Sequence, residues 1–284
     1  MKLSLLILAF ASLSAFGQSH LDHETPCPPV LIYQELGEST GTGFFVRDSA
    51  KWYLVTSRHL LIDIKSGKLI NEKCNLQVFP ADLTQDDRCN MSVNLKMALD
   101  SGRVHYNTKD DVVAVEVGKV ANGKNLTLNS STLFVTKNEK SDLMKAASIS
   151  GSEDFKNVHW GDDVLLYGYP TSLGLKPLSQ YDYDKPLLRA GVVAGKYNDR
   201  HTLVIDCQAF NGNSGAPVVK KIQDKDGKAK YSLVGVITDY IPYFDRRMDL
   251  NEGKRTEETI YQNNSGYSVV VPMDVVADLV KRKK

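Results

Sequence analysis

The stretch TLVIDCQAFNGNSGAPVVKKI, Thr202 to Ile222, places a serine flanked by glycines between two short apolar runs. TLVIDC before the loop and PVVKKI after it are rich in β-branched residues and bounded by turn residues, the pattern of strands. GNSGAP, Gly212 to Pro217, therefore reads as a loop that exposes Ser214 on flexible backbone. A serine hydroxyl is a poor nucleophile until a base takes its proton, so the loop directs the reading to a histidine and an orienting carboxylate elsewhere in the chain. A phosphate cradle fits less well. Such a loop needs Gly-Lys-Ser/Thr opening a helix, and here Pro217 and a Val-Val strand follow.

Outward from that loop the same punctuation recurs. VLIYQEL from Val30, GTGFFV from Gly41, WYLVTS from Trp52, NLQVFPADL from Asn75 and DVVAVEV from Asp111 form a first strand-rich half. A polar stretch from Thr136 to Asp163 follows. Strands resume as DVLLYGYP, LLRAGVVAGKY, TLVIDC, APVVKKI, YSLVGVITDY and GYSVVVPM. Helical periodicity is convincing only after Pro272, where Met273, Val276 and Val280 share one face, flanked by Asp274 and Lys281. The expected class is all-β, built as two barrels or sandwiches with a short C-terminal helix. The boundaries read as an N-terminal leader at 1–17, a mature N-terminal segment at 18–29, a first half at 30–135, a linker at 136–163 and a second half at 164–284.

Composition agrees with a globular chain. Of 284 residues, 42% are hydrophobic and 24% charged, so a sizeable core can form. Lys+Arg 35 against Asp+Glu 34 gives a formal charge of +1, which provides no field for polyanions and excludes nucleic acid as an expected partner. MKLSLLILAFASLSAFG, Met1 to Gly17, carries one Lys, an apolar run and small residues at Ala15 and Gly17, the layout of a secretory signal peptide. The apolar run of roughly 15 residues falls short of the ~20 that span a bilayer, so cleavage near Gly17 and export to the periplasm or the medium are expected, without stable membrane insertion. In an oxidising compartment Cys27, Cys74, Cys89 and Cys207 become disulfide candidates, and Cys74 with Cys89, the nearest pair, is the expected bridge. His20, His23 and Cys27 have spacings that suit metal ligands, but they sit beside a processed terminus, and no metal or other cofactor is expected.

Among six histidines, His59 ends the apolar strand WYLVTS and precedes Leu60 and Leu61. The others fall among polar neighbours or near the N-terminus. Asp111 opens the run VVAVEV, where a buried acid could fix one imidazole tautomer; Asp110 adjoins it but is not directly followed by apolar residues. The expected catalytic set is His59, Asp111 and Ser214. The backbone N–H groups of Gly212 and Ser214 are the expected oxyanion donors, because glycine at 212 lets the peptide turn its N–H towards the developing charge.

With these pieces in place the sequence resembles the chymotrypsin-like serine peptidase superfamily, from about Val30 to Val280. GTGFFV looks like the strand before the histidine, VTSRHL like the VTAAHC segment, DDVVAV like the DIAL segment and GNSGAP like the GDSGGP nucleophile loop, all in the family's order. IDCQAFNGNSG and the GYP of Gly168 to Pro170 look closest to bacterial exported members. The resemblance implies two six-stranded antiparallel β-barrels with the site between them, and a serine endopeptidase acting on protein or peptide substrates through an acyl-enzyme. The alternative is a catalytically inactive binding module on the same fold. The 284 − 214 = 70 residues after Ser214 are taken up by the second barrel, so an appended peptide-binding domain is not expected. Two departures stand out: Arg58 where the family has a small alanine, and Leu60 where animal members have a half-cystine.

The resemblance also suggests a substrate pocket. Gln208, six residues before Ser214, falls at the pocket floor; Ile237, Thr238, Asp239 and Tyr240 follow from LVGVI as its wall and mouth. An uncharged Gln208 lacks the acid that selects Arg or Lys, and Ile237 stands where glutamyl-specific members have a histidine, so small or medium uncharged side chains are expected. Thr238 falls where the family has a serine whose hydroxyl contacts the triad carboxylate.

Overall fold

β-Branched and aromatic residues fill the strands, and the central ones, such as Thr40–Arg47 and Lys51–Thr56, are buried on both faces, so that they contribute to more than one apolar cluster. The computed structural model describes residues 27–34, 40–79, 88–121, 125–128, 132–137, 145–171, 180, 182–223, 229–251 and 254–281. The segment 1–17, expected to be a leader, and the histidines at 20 and 23 lie outside them.

The first sheet contains β1 (Pro29–Tyr33), β2 (Thr40–Arg47), β3 (Lys51–Thr56), β4 (Lys73–Val78), β5 (Cys89–Asn94), β6 (Val104–Tyr106), β7 (Val113–Ala121), β8 (Asn125–Leu128), β9 (Leu133–Lys137) and β10 (Ala146–Ser148). Its path is β6-β7-β3-β2-β1-β4-β5-β9, with β8 paired to β7 and β10 added parallel to β2. A short helix α1 (Leu95–Asp100) follows β5, its N-terminus capped by the Asn94 side chain accepting from Met97 N. The second sheet closes as β11 (Asp163–Gly168), β12 (Leu187–Tyr197), β13 (Thr202–Asp206), β16 (Lys254–Pro272), β15 (Ala229–Asn251) and β14 (Pro217–Gln223). The fold is the expected all-β one. The second half is a six-stranded barrel, and the first is a longer sheet curled into a half-barrel.

Val30, Leu54, Leu76, Met91 and Val115 pack inside the first sheet; Leu166, Val193, Ile205, Val218 and Val270 fill the barrel. A third cluster joins Phe44, Tyr53 and Val55 of the first sheet to Val236 and Val271 of the second, and helix α2 (Met273–Lys281) inserts Met273, Val276 and Leu279 into it. The two sheets are thus held against each other by shared apolar packing, and the cleft lies at this junction.

The expected Cys74–Cys89 bridge is not formed. Both residues lie on paired strands, but the register sets Cys74 opposite Val93 and Cys89 opposite Val78. Four residues of offset separate them by about 13 Å along the strand, and a disulfide needs Cα atoms within about 7 Å. All four cysteines are buried and none is bridged.

Candidate active site

Strand β3 ends at Thr56, and the chain turns through one 3-10 turn, Arg58–Leu60, that presents His59 half-exposed to the cleft. Arg58 N donates to the Asp111 carbonyl at 3.3 Å, and His59 N donates to Asp111 Oδ1 at 2.9 Å. The ring follows: His59 Nδ1 lies 2.6 Å from Asp111 Oδ2. A carboxylate accepts, so Nδ1 carries the proton, and in the neutral ring the lone pair is then on Nε2. Asp110 is turned away and accepts from Asn107 Nδ2 at 2.9 Å. Arg58, the departure from the resembled pattern, is buried and donates from Nη1 to Asn107 O at 2.6 Å. It ties the histidine turn to the loop that carries Asp111.

Ser214 follows a tight turn in which Asn213 N donates to Phe210 O at 2.8 Å and the buried Asn213 side chain accepts from Phe210 N at 3.0 Å. Two glycines make this turn possible. Gly212 has φ +97 and Gly215 φ +85; a Cβ at 212 would strike the Tyr169 carbonyl, and one at 215 would strike Thr42 O and Thr56 Oγ1. The loop is then fastened across the cleft by the first sheet. Thr42 N donates to Ser214 O at 2.9 Å, and Thr42 Oγ1 donates to Gly212 O at 2.7 Å while accepting from Tyr169 N at 3.0 Å. Thr56 Oγ1 donates to Thr42 O at 2.6 Å. From the other side Gly215 N and Ser57 Oγ both donate to Ile237 O, at 2.7 and 2.9 Å. Among the described residues the N–H groups of Gly212 and Ser214 meet no acceptor, which leaves both donors available to an oxyanion.

His59, Asp111 and Ser214 line one cavity of about 340 Å³. Among the described residues no hydrogen bond joins Ser214 Oγ to His59; such contacts are commonly long until substrate is bound. No three His, Cys, Asp or Glu side chains converge as a metal-binding group among the described residues.

The pocket differs from expectation in two places. Gln208 does not line the cavity; Ala209, Phe210 and Asn211 do. Its carbonyl accepts from Arg189 Nη1 at 3.0 Å, and the Arg189 guanidinium lies 4.8 Å above the Phe210 ring. The fully buried Ser268 hydroxyl donates to Cys207 O at 2.7 Å and accepts from Ala209 N at 3.1 Å, fixing the backbone on both sides of Gln208. Thr238 lines the cavity but does not reach Asp111. A bulge interrupts the β15–β16 pairing between Ile237 and Asp239, and the Thr238 hydroxyl donates instead to Val269 O at 3.5 Å. Ile237, Asp239 and Tyr240 do line the cavity, joined by Ile64 from the loop after the histidine turn. Ile64, Phe210 and Thr42 escaped the sequence reading; only the glycines around Thr42 signalled that backbone comes close there.

Residues 41–226, more than half of the chain, match the trypsin-like peptidase domain family. The chain belongs to that family. Among solved structures, this trypsin-like peptidase is similar to a serine endoprotease from Yersinia pestis at 16% identity and a TM-score of 0.44, over 91% of this chain and 63% of the other. It therefore spans less than two thirds of that protein's length. The protease Anisep from Arthrobacter nicotinovorans matches at 14% identity and a TM-score of 0.48, covering 92% and 95% of the two chains. No curated protein matches the peptidase by sequence. Among the described residues no helix is long and apolar enough to cross a membrane.

Proposed function

We propose that this trypsin-like peptidase is an exported serine endopeptidase working through Ser214, His59 and Asp111. The observation that carries the reading is the 2.6 Å contact of His59 Nδ1 with Asp111 in a cavity that Ser214 also lines. Asp111 holds the imidazole in the tautomer whose Nε2 can accept a proton, and it stabilises the imidazolium that follows. Ser214 Oγ attacks the peptide carbonyl as His59 takes the hydroxyl proton. His59 then returns that proton to the leaving amine, and water cleaves the acyl-enzyme by the same route. The N–H groups of Gly212 and Ser214 receive the negative charge on the carbonyl oxygen. Ile237, Asp239 and Tyr240 contact the substrate beside the scissile bond. Export rests on the leader-like segment at the N-terminus.

Labelling with a fluorophosphonate tests the reading directly. Wild type is expected to incorporate the probe and Ser214→Ala to lose it, and Ser214→Ala or His59→Ala should lower peptide turnover by about 10⁴- to 10⁶-fold. The second reading is an inactive binding module on the same fold. Failure of wild type to label would select that alternative.

A further inference from the structure

Strands β15 and β16 continue past the barrel as a two-stranded ribbon, paired from Pro242↔Asn264 to Asn251↔Lys254. Directly paired residues share a face, and faces alternate along each strand. One face therefore carries Asn264, Gln262 and Ile260 from β16, with Phe244 and Arg246 opposite Gln262 and Ile260. That face looks towards the cleft. Asn264 Nδ2 donates to Ala209 O and Gln262 Nε2 donates to Tyr240 OH at 3.2 Å, and both Ala209 and Tyr240 line the cavity of Ser214. The row that starts on the cavity wall ends in Phe244 and Ile260, which are 57% and 56% exposed. They are diagonal cross-strand neighbours, close enough to form one apolar step.

We infer that Phe244 and Ile260 form an extended substrate subsite that receives a bulky apolar side chain of the polypeptide being cleaved, an inference that rests on the peptidase reading above. The occupant follows from continuity: the apolar step shares its face with the side chains that hold the cavity wall. Phe244 lies four residues beyond Tyr240, about 13 Å along β15, so an extended peptide passing Tyr240 reaches the step after about three to four further residues. A large apolar side chain there removes three apolar surfaces from water at once, which corresponds to about tenfold in affinity. The opposite face carries Tyr243 and Tyr261 and lies on the other side of the ribbon.

The test compares wild type with Phe244→Ser/Ile260→Ser on a randomised dodecapeptide library. Wild-type products are expected to be enriched about tenfold in Leu, Ile, Phe or Met at one position about three to five residues from the cut, and the paired variant to bring that enrichment within twofold. No enrichment in wild type, or equal enrichment in the variant, overturns the inference. If the paired variant does not fold, Ile260→Lys alone is read in the same way. If wild type cuts nothing, fluorophosphonate labelling decides the peptidase reading separately. The ribbon is then tested by the binding of fluorescein-labelled casein to Ser214→Ala with and without Phe244→Ser/Ile260→Ser. About tenfold weaker binding supports the subsite, and equal Kd overturns it. A dimer that dissociates on substitution while Kd stays unchanged also overturns it, in favour of a contact between copies of the chain.

Discussion

Thr42 does not line the cavity, yet two of its four bonds hold the loop of Ser214 and the other two tie it to Tyr169 and Thr56. Its hydroxyl spans 170 residues of sequence to Gly212 and 127 to Tyr169, and its backbone N–H holds Ser214 O. Thr42→Val keeps the shape and leaves Gly212 O and Tyr169 N without their buried partner, which costs about 1–3 kcal/mol for each unmade bond. Because Gly212 is also an expected oxyanion donor, small misplacement there should lower kcat by about 10- to 100-fold with KM little changed. Thr42→Ser should restore most of it. Steady-state kinetics on both variants check this, and a Thr42→Val that loses thermal stability but keeps kcat would reduce Thr42 to packing. Arg58→Met retains the buried stem and removes the bond to Asn107 O; with that tether gone, kcat should fall about tenfold. At this scale the sequence was informative where chemistry is local. His59 follows a strand, Asp111 precedes one and Ser214 sits in a glycine-bounded loop, so each stands out locally as a candidate. Thr42, Ser268 and Arg189 do not, because their partners come from segments remote in sequence, chiefly the loop between β13 and β14. Gln208 lies off the cavity where remote hydrogen bonds fix its backbone, and the Thr238 hydroxyl points to Val269 O beside a bulge while its residue still lines the cavity; a local alignment shows neither effect.

The elements divide in a similar way. Strands buried on both faces, such as β2 and β3, carry clear apolar runs, and the start of α2 is legible because Pro272 precedes Met273 and Val276, which face the core. The outer ribbon was not legible. DYIPYFDRRMDLN and KRTEETIYQNN contain a proline and many charges, and neither strand has a barrel to bury against. Pro242 is tolerated because a pairing irregularity lies between Tyr240 and Pro242, where a ladder hydrogen bond is already interrupted. β10 was missed because three residues paired in parallel to β2 leave no period to detect. The value of α2 is structural: its Leu279 packs in the cluster shared by the two sheets. Leu279→Ala should therefore destabilise the chain by about 2–4 kcal/mol, whereas Asp278→Ala on the exposed side should change stability by less than about 0.5 kcal/mol. Denaturant midpoints for the two variants measure the contrast, and equal midpoints would detach the helix from the junction.

For the molecule as a whole, the four thiols sit in the same apolar interiors that hold the sheets together: Cys74 and Cys89 in the first sheet, Cys207 in the barrel and Cys27 in the shared cluster. The two halves are joined by the apolar packing of the shared cluster, with no bridge between them. Unfolded in guanidinium with no reductant, the chain should yield four reactive thiols with Ellman's reagent; two would reinstate a bridge. Burial also has a consequence for pH. Loss of hydration pushes the Cys207 thiol up from 9.0 to about 11, with Arg189 opposing and Asp206 assisting. Burial pushes Cys74 up to about 12. Between pH 9 and those values the unfolded chain gives up protons that the folded chain retains, so stability falls as pH rises. The contribution is fully present below pH 9 and is lost as the pH passes through about 11 for Cys207. Tyr53 and Tyr169, also raised by burial, act in the same direction at higher pH. Cys207→Ala removes one of these groups and should flatten the decline of Tm between pH 9 and 11 without abolishing it. Circular dichroism melts at pH 7, 9 and 11 make the comparison, and parallel declines in wild type and variant would show that the Cys207 thiol ionises as readily inside the barrel as in water.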